Sequence, residues 1–251
     1  MIYDLYDIFY KKLPCSIDDV LPEYDFCKLI TCLNSYYLVV LKQNKYKLYE
    51  KFDFIASDGM LPILLNKYCG KAKSIRLSFD LSSIAGLVFN DVIKHNFSLY
   101  VLGAKPGEVD LSVNTILKNY HGIQIAGYHH GYISDNRQQI VNEIIHSGAK
   151  VVIIGMGAPK QDEIAVMLKE SGFIGTVYTC GGFIHQTQYN IVSFPNWSNR
   201  FGLRWLYRIF TQKGVFLRLL KTVPYFLITY IYFLLVKFDY YTNHNSKING
   251  K

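Results

Sequence analysis

Nowhere does the chain carry a Cys-x-x-Cys pair, an Asp-x-Asp triplet, a Gly-x-Gly-x-x-Gly loop or a Gly-x-x-x-x-Gly-Lys-Ser/Thr loop. Each absence removes a class of chemistry. The five cysteines (Cys15, Cys27, Cys32, Cys69 and Cys180) are odd in number and unpaired in spacing, so neither a disulfide framework nor a zinc site is indicated, and a reducing compartment is expected. Without Asp-x-Asp, a usual grip on a metal-bound diphosphate is missing; without the glycine fingerprints, neither a dinucleotide loop nor a Walker loop is matched. The first residues are apolar in places but include Asp4 and Asp7 and no basic stretch, unlike a secretory signal. Long apolar runs are also scarce: the uncharged stretch between Lys221 and Lys237 has 15 residues, whereas a helix needs about 20 to cross a bilayer.

What is present is a chain that is 50% hydrophobic over 251 residues, enough to bury a core. Its charge is uneven. From Asn196 onward nine Lys or Arg face the single Asp239, whereas residues 1–195 carry 18 basic and 18 acidic side chains. The basic tail also holds the apolar "VPYFLITYIYFLLVKF", with Tyr225, Tyr230 and Tyr232 suited to a headgroup boundary. A peripheral membrane segment is the expected role; a buried C-terminal helix is the alternative. Nucleic-acid binding is not expected despite the pI near 9.1, because the basic residues share their segment with the apolar ones.

From about residue 97, short runs rich in Val, Ile and Tyr ("FSLYVLGAK", "GIQIAGY", "AKVVIIGMG", "GTVYTCGG") recur about every 25 residues, each followed by glycine. Between them lie segments of helical period such as "SDNRQQIVNEIIHSG". Residues near Lys28 to Thr31 and "FDFIAS" read as further strands, "NSYYLVVLKQNK" and "SIAGLVFNDVIKH" as helices. The expected fold is α/β, a Rossmann-like parallel sheet flanked by helices. Residues 1–195 form the core, and 196–251 a helical, basic and apolar C-terminal appendage.

In such sheets ligands sit beyond the carboxyl ends of the strands, so three clusters stand out. In "GMGAPKQ", Gly155 and Gly157 allow close backbone approach, Pro159 suits a helix start, and Lys160 and Gln161 add a charge and an amide; the alternative is a plain turn, with Asp162 and Glu163 complementing the helix dipole. Gly103, Lys105 and Gly107 in "LGAKPG" repeat the arrangement, and two such loops at one end of a sheet favour a phosphate-bearing ligand. Asp58, beside Gly59, is placed to act as a general base or to close a turn, and Asp80 reads better as a helix cap. His129 and His130 are adjacent and lack a third ligand at metal spacing, so no metal is expected.

The ordered set "DG", "LGAKPG", "GIQIAGYHHGY", "GMGAPKQDE", "CGGFI" and "PNWSNRFGLRWLYRI" resembles the WecG/TagA/CpsF glycosyltransferases, glycosyltransferase family 26, over roughly residues 28 to 221. The resemblance implies transfer of a sugar, typically N-acetylmannosamine or its uronic acid, from a UDP donor to a polyprenyl-diphosphate-linked sugar. Inversion at the anomeric carbon, no metal and no cofactor are implied as well. The products are teichoic acid linkages, enterobacterial common antigen, capsule or exopolysaccharide. By position, Asp58 resembles the catalytic base, Gln161 the substrate-contacting glutamine, and Arg208 and Arg218 the arginines that reach the donor diphosphate. Asn34 matches a Thr-x-Asn motif in which Cys32 stands for the threonine, with Thr31 as its substitute. Gly59, Gly127 and Gly182 complete the expected substrate-binding set. The appendage implies docking at the cytoplasmic face of the membrane, and a homo-oligomer is compatible.

Some motifs depart from the pattern. Arg204 stands where many members have Glu, "QKGVFLR" replaces Pro-x-Arg, and "FIHQT" replaces Phe-Asp. These departures keep two rivals in view: a non-catalytic membrane-bound partner of a polysaccharide assembly complex, and another Rossmann-like enzyme that uses a nucleotide cofactor.

Overall fold

The computed structural model describes residues 11–33, 46–57 and 76–188, with the single positions Ile8, Phe210, Ile231 and Leu235. Asn34, Asp58, Gly59, Arg208, Arg218, the helix expected over "NSYYLVVLKQNK" and nearly all of 196–251 lie outside the described residues.

Six strands form one sheet: β1 (Cys27–Leu33), β2 (Phe54–Ser57), β3 (Ser98–Gly103), β4 (Gln124–His129), β5 (Val151–Gly155) and β6 (Gly175–Thr179). All five neighbouring pairs are parallel, in the order β2-β1-β6-β5-β3-β4. The helices are α1 (Ala85–Lys94), α2 (Glu108–Asn119), α3 (Arg137–His146), α4 (Lys160–Glu170) and the short α5 (Phe183–Thr187). The α/β reading of the sequence is therefore correct, including strands at β1 and β2 and a helix within "SIAGLVFNDVIKH".

The strand sequences show why the sheet is covered on both faces. Every residue of β5 and β6 is buried, as expected for strands that pack helices on each side and so read as unbroken apolar runs. Alternate residues serve opposite cores. Tyr100, Leu102, Val152 and Ile154 join the core built with α3 and α4, while Leu99, Val101, Val151 and Ile153 join the one built with α1, α2 and α5. The edge strand β4 is only partly buried, with Gln124 and Tyr128 exposed.

Asp80 departs from the capping expectation. The residue preceding α1 is Ile84, which makes no side-chain cap. Asp80 instead accepts the Ser82 amide at 2.9 Å, closing a turn upstream of the helix.

The strand order locates the site. From β3 the chain passes outward to β4 through α2 on one face, whereas from β5 it passes the other way to β6 through α4 on the opposite face. Adjacent strands whose exits diverge leave a crevice at their carboxyl ends.

Candidate active site

The carboxyl ends of β3 and β5 meet at two glycines. Gly103 ends β3 and Gly155 ends β5, and the two are paired in register. They approach so closely that a Cβ on Gly103 would lie 2.4 Å from the Gly155 carbonyl oxygen; Gly103 also has φ +150°. Ala104 follows at φ 59°, a conformation that L-residues adopt only when their surroundings enforce it. It is enforced here by two hydrogen bonds: the Ala104 amide donates to the Gly155 carbonyl at 3.1 Å, and the Gly131 amide donates to the Ala104 carbonyl at 2.9 Å. The loops after β3, β4 and β5 are thereby joined at one point, so "LGAKPG" and "GMGAPKQ" do converge.

Gln161 extends the junction to β6. It is only 6% exposed, and its Oε1 accepts the amides of Gly157, in the β5 loop, and Gly181, after β6, both at 3.1 Å. Two N–H donors on one atom fix the amide's orientation, because only oxygen accepts. Its Nε2 has no protein partner among the described residues.

The loop amides are less available to an anion than the glycine spacing suggests. Gly157 and Gly181 give their N–H groups to Gln161, and the Lys105 amide donates to Glu108 Oε2 at 3.1 Å. Glu108 opens α2 and also meets His185 Nδ1 at 2.9 Å. Burial works to raise its carboxyl, but the His185 contact and the Lys105 amide outweigh this and hold it below the usual carboxylate range. His185 belongs to the "FIHQT" segment that departs from the family pattern, so that change falls on the rim of the site. Lys105, Gly107, Gly157, Lys160 and Gly182 are solvent-exposed, while Pro159 directly precedes α4.

Gly127 is placed otherwise than the sequence reading expected. It lies within β4, where a Cβ would stand 2.6 Å from Tyr100 Cε2. The Tyr100 ring crosses the strand there, and its hydroxyl donates to Glu143 Oε1 on α3 at 2.6 Å. Gly127 thus makes room for a core tyrosine. Gly127→Ala should destabilise the fold by about 1–3 kcal/mol, the usual cost of overpacking, and leave KM unchanged in the folded fraction; calorimetry beside steady-state kinetics checks this.

Thr31 is fully buried on β1. Its hydroxyl donates to Asp162 Oδ1 at 2.9 Å and accepts from Thr179 Oγ1 at 2.7 Å. Asp162 is the residue whose position the sequence reading missed. It is fully buried, and Tyr49 donates to its Oδ2 at 3.0 Å from the 3-10 turn Tyr46–Lys51. Burial pushes its carboxyl up to about 6, against the hydrogen bonds from Thr31, Tyr49 and Thr179. Its neighbour Glu163 meets Arg137 Nη1 at 3.1 Å, pinning the start of α3 to the start of α4.

His129 Nδ1 lies 2.8 Å from the His130 carbonyl, so that nitrogen carries hydrogen. Among the described residues no group of three or more His, Cys, Asp or Glu gathers in a metal-holding arrangement. A surface cleft of about 370 Å³ beside Lys12, Asp53 and Lys169 lies at the other end of the sheet, where Lys169 pairs with Asp53 at 2.9 Å. It is remote from the junction of loops.

The architecture defines a doubly wound α/β protein in which a buried glutamine clamps the loops after β5 and β6 together. The chain belongs to the glycosyl transferase WecG/TagA/CpsF family, whose sequence pattern it matches over residues 5–238, and it is a glycosyltransferase. It is similar to a Shigella boydii protein, UDP-Gal:alpha-D-GlcNAc-diphosphoundecaprenol beta-1,4-galactosyltransferase, with 31% identity over 223 residues covering 88% of this chain and 92% of that one. It is also similar to a Bacillus subtilis N-acetylglucosaminyldiphosphoundecaprenol N-acetyl-beta-D-mannosaminyltransferase, with 25% identity over 220 residues, 86% and 78% of the two chains.

Proposed function

We propose that the protein transfers a sugar from a UDP-sugar to a polyprenyl-diphosphate-linked N-acetylglucosamine, with inversion and without a metal, in the assembly of a cell-surface polysaccharide. Asp58 takes the proton of the acceptor hydroxyl as that oxygen attacks the anomeric carbon, and UDP leaves from the opposite face. Because several loop amides are engaged internally, stabilisation of the departing diphosphate falls mainly to Arg208 and Arg218, with Lys105 and Lys160 at the mouth. Gln161 presents its Nε2 hydrogens to an oxygen of one reacting sugar.

The observation that carries this reading is the junction itself. At the switch between β3 and β5 the strand ends meet in register, Gly157, Lys105 and Lys160 are exposed on the loops that follow, and buried Gln161 ties the β5 and β6 loops together. The relatives favour galactose as the donor sugar, since the galactosyltransferase matches at higher identity than the mannosaminyltransferase; N-acetylmannosamine is the second reading. Membrane docking is supported by Phe210, Ile231 and Leu235, which are 80%, 55% and 62% exposed although apolar. Among the described residues no helix is long and apolar enough to cross a membrane.

The test incubates the protein with UDP-galactose, UDP-N-acetylmannosamine and other UDP-sugars against a polyprenyl-diphosphate N-acetylglucosamine in vesicles, in buffer containing EDTA. Mass spectrometry should show a one-hexose extension of the acceptor with UDP-galactose. Extension only with UDP-N-acetylmannosamine supports the second reading, and no extension with any donor, with or without EDTA, overturns both.

A further inference from the structure

Asp162 is a buried carboxylate that, among the described residues, has no balancing cation, and Glu163 beside it adds a like charge. Burying a charge this way is costly unless hydrogen bonds compensate. The groups around it are arranged for the ionised form: Thr31 from β1 and Tyr49 from the 3-10 turn both donate to it, and Thr179 from β6 donates to Thr31. An ionised carboxylate only accepts, so hydroxyls from three segments of the chain can all point toward it. Asp162 directly follows Gln161, whose Oε1 holds the β5 and β6 loops. Thus one turn of α4 is anchored to the sheet by the first residue's neighbour and to the loops by the other.

We propose that Asp162 is a positioning residue of the transferase: as a carboxylate it seats the first turn of α4 on β1 and β6 and so holds Gln161 at the junction of the glycine loops. The inference rests on the functional reading above for its kinetic consequence, but its structural core can be tested without it. Protonating Asp162 turns one of its oxygens into a donor, so Thr31 or Tyr49 must accept there and send its own hydrogen elsewhere. The groups facing Asp162 are Thr31, Thr179 and Tyr49, together with Glu163 on its own helix, which is itself paired with Arg137 of α3. Since burial pushes Asp162 up to about 6, the active, ionised form is lost as pH falls through that value. The sign for stability is opposite. A carboxyl raised in the folded state contributes stability that is present below its unfolded value near 3.9 and lost as pH rises through about 6.

Two measurements on the full chain test the proposal: the pH profile of kcat, and protection of the Gly157 and Gly181 amides from hydrogen exchange. The wild-type protein should show an acid limb centred near pH 6 in kcat, with KM changing less, and both amides should be protected at pH 7.5. Asp162→Asn should lower kcat about tenfold at pH 7.5, equivalent to about 1.4 kcal/mol. It should also abolish the limb and leave both amides less protected at every pH. Wild-type kcat with the limb intact, or unchanged protection of both amides, overturns the assignment. If no UDP-sugar is turned over, the functional reading fails while amide protection still decides the structural claim. Should Asp162→Asn fail to fold, Tyr49→Phe and Thr31→Val each remove one hydrogen bond to the charged form, and each should move the limb to higher pH. An unmoved midpoint in both overturns the proposal.

Discussion

Asp58→Asn should lower kcat by about 10²- to 10⁴-fold, the range typical of a lost general base, with KM and thermal stability little changed. The described residues that precede position 58 supply the reason for the expectation. β2 ends at Ser57, which pairs in register with Leu33 of β1, is fully buried, and accepts the Leu77 amide at 3.1 Å through its carbonyl. Ser57 therefore stands at the carboxyl end of the sheet, the same end at which the β3, β5 and β6 loops gather. Asparagine matches aspartate in size and closes turns equally well, so the substitution separates the two roles available to an Asp-Gly pair. A base loses its proton acceptor, whereas a turn residue loses little. Near-normal turnover in a protein of unchanged melting temperature would remove Asp58 from the mechanism.

The architecture was readable because it rests on local periodicity. Val151 to Gly155 and Gly175 to Thr179 are buried on both faces and so form unbroken apolar runs with glycines at their ends, a pattern that any βα unit must produce. Strand order was not readable, because no local signal makes Gly103 and Gly155 register partners although about fifty residues separate them. The site was half legible for the same reason. Glycines at strand ends marked the junction, but hydrogen bonds between a side chain and a distant backbone decide which donors are left for a ligand. Gln161 reaches Gly181 twenty residues on, and Glu108 captures the Lys105 amide. Asp162 was hidden by its own helix. An acidic residue in a first turn ordinarily serves the helix dipole from the surface, and only the pairing of β1 with β6 brings Thr31 and Thr179 beneath it. Gly127 shows a demand that the sequence does not announce: the atom that needs the space beside it is Tyr100 Cε2.

Substituting Gln161 should have the second large effect, and two replacements separate its two jobs. Gln161→Ala removes the acceptor for both Gly157 and Gly181 and leaves a hole where a 6%-exposed side chain had been. Gly157 is exposed and Gly181 half-buried, so each lost hydrogen bond costs about 0.5–1.5 kcal/mol. The loops after β5 and β6 then separate, and kcat should fall on the order of 10²-fold, about 2.7 kcal/mol of transition-state stabilisation. Gln161→Glu keeps an oxygen where Oε1 sits, so both loop amides retain their acceptor and the melting temperature should stay near that of the wild type. It replaces the Nε2 hydrogens with a second oxygen, which can no longer donate to a sugar and which adds negative charge beside a diphosphate. If Gln161 only ties the loops together, Glu restores activity along with stability. If it also donates to substrate, as proposed, Gln161→Glu will melt like the wild type yet remain about as impaired in kcat as Gln161→Ala. Recovery of both stability and turnover would confine Gln161 to holding the loops and leave the orientation of the reacting sugars to the arginines and Asp58.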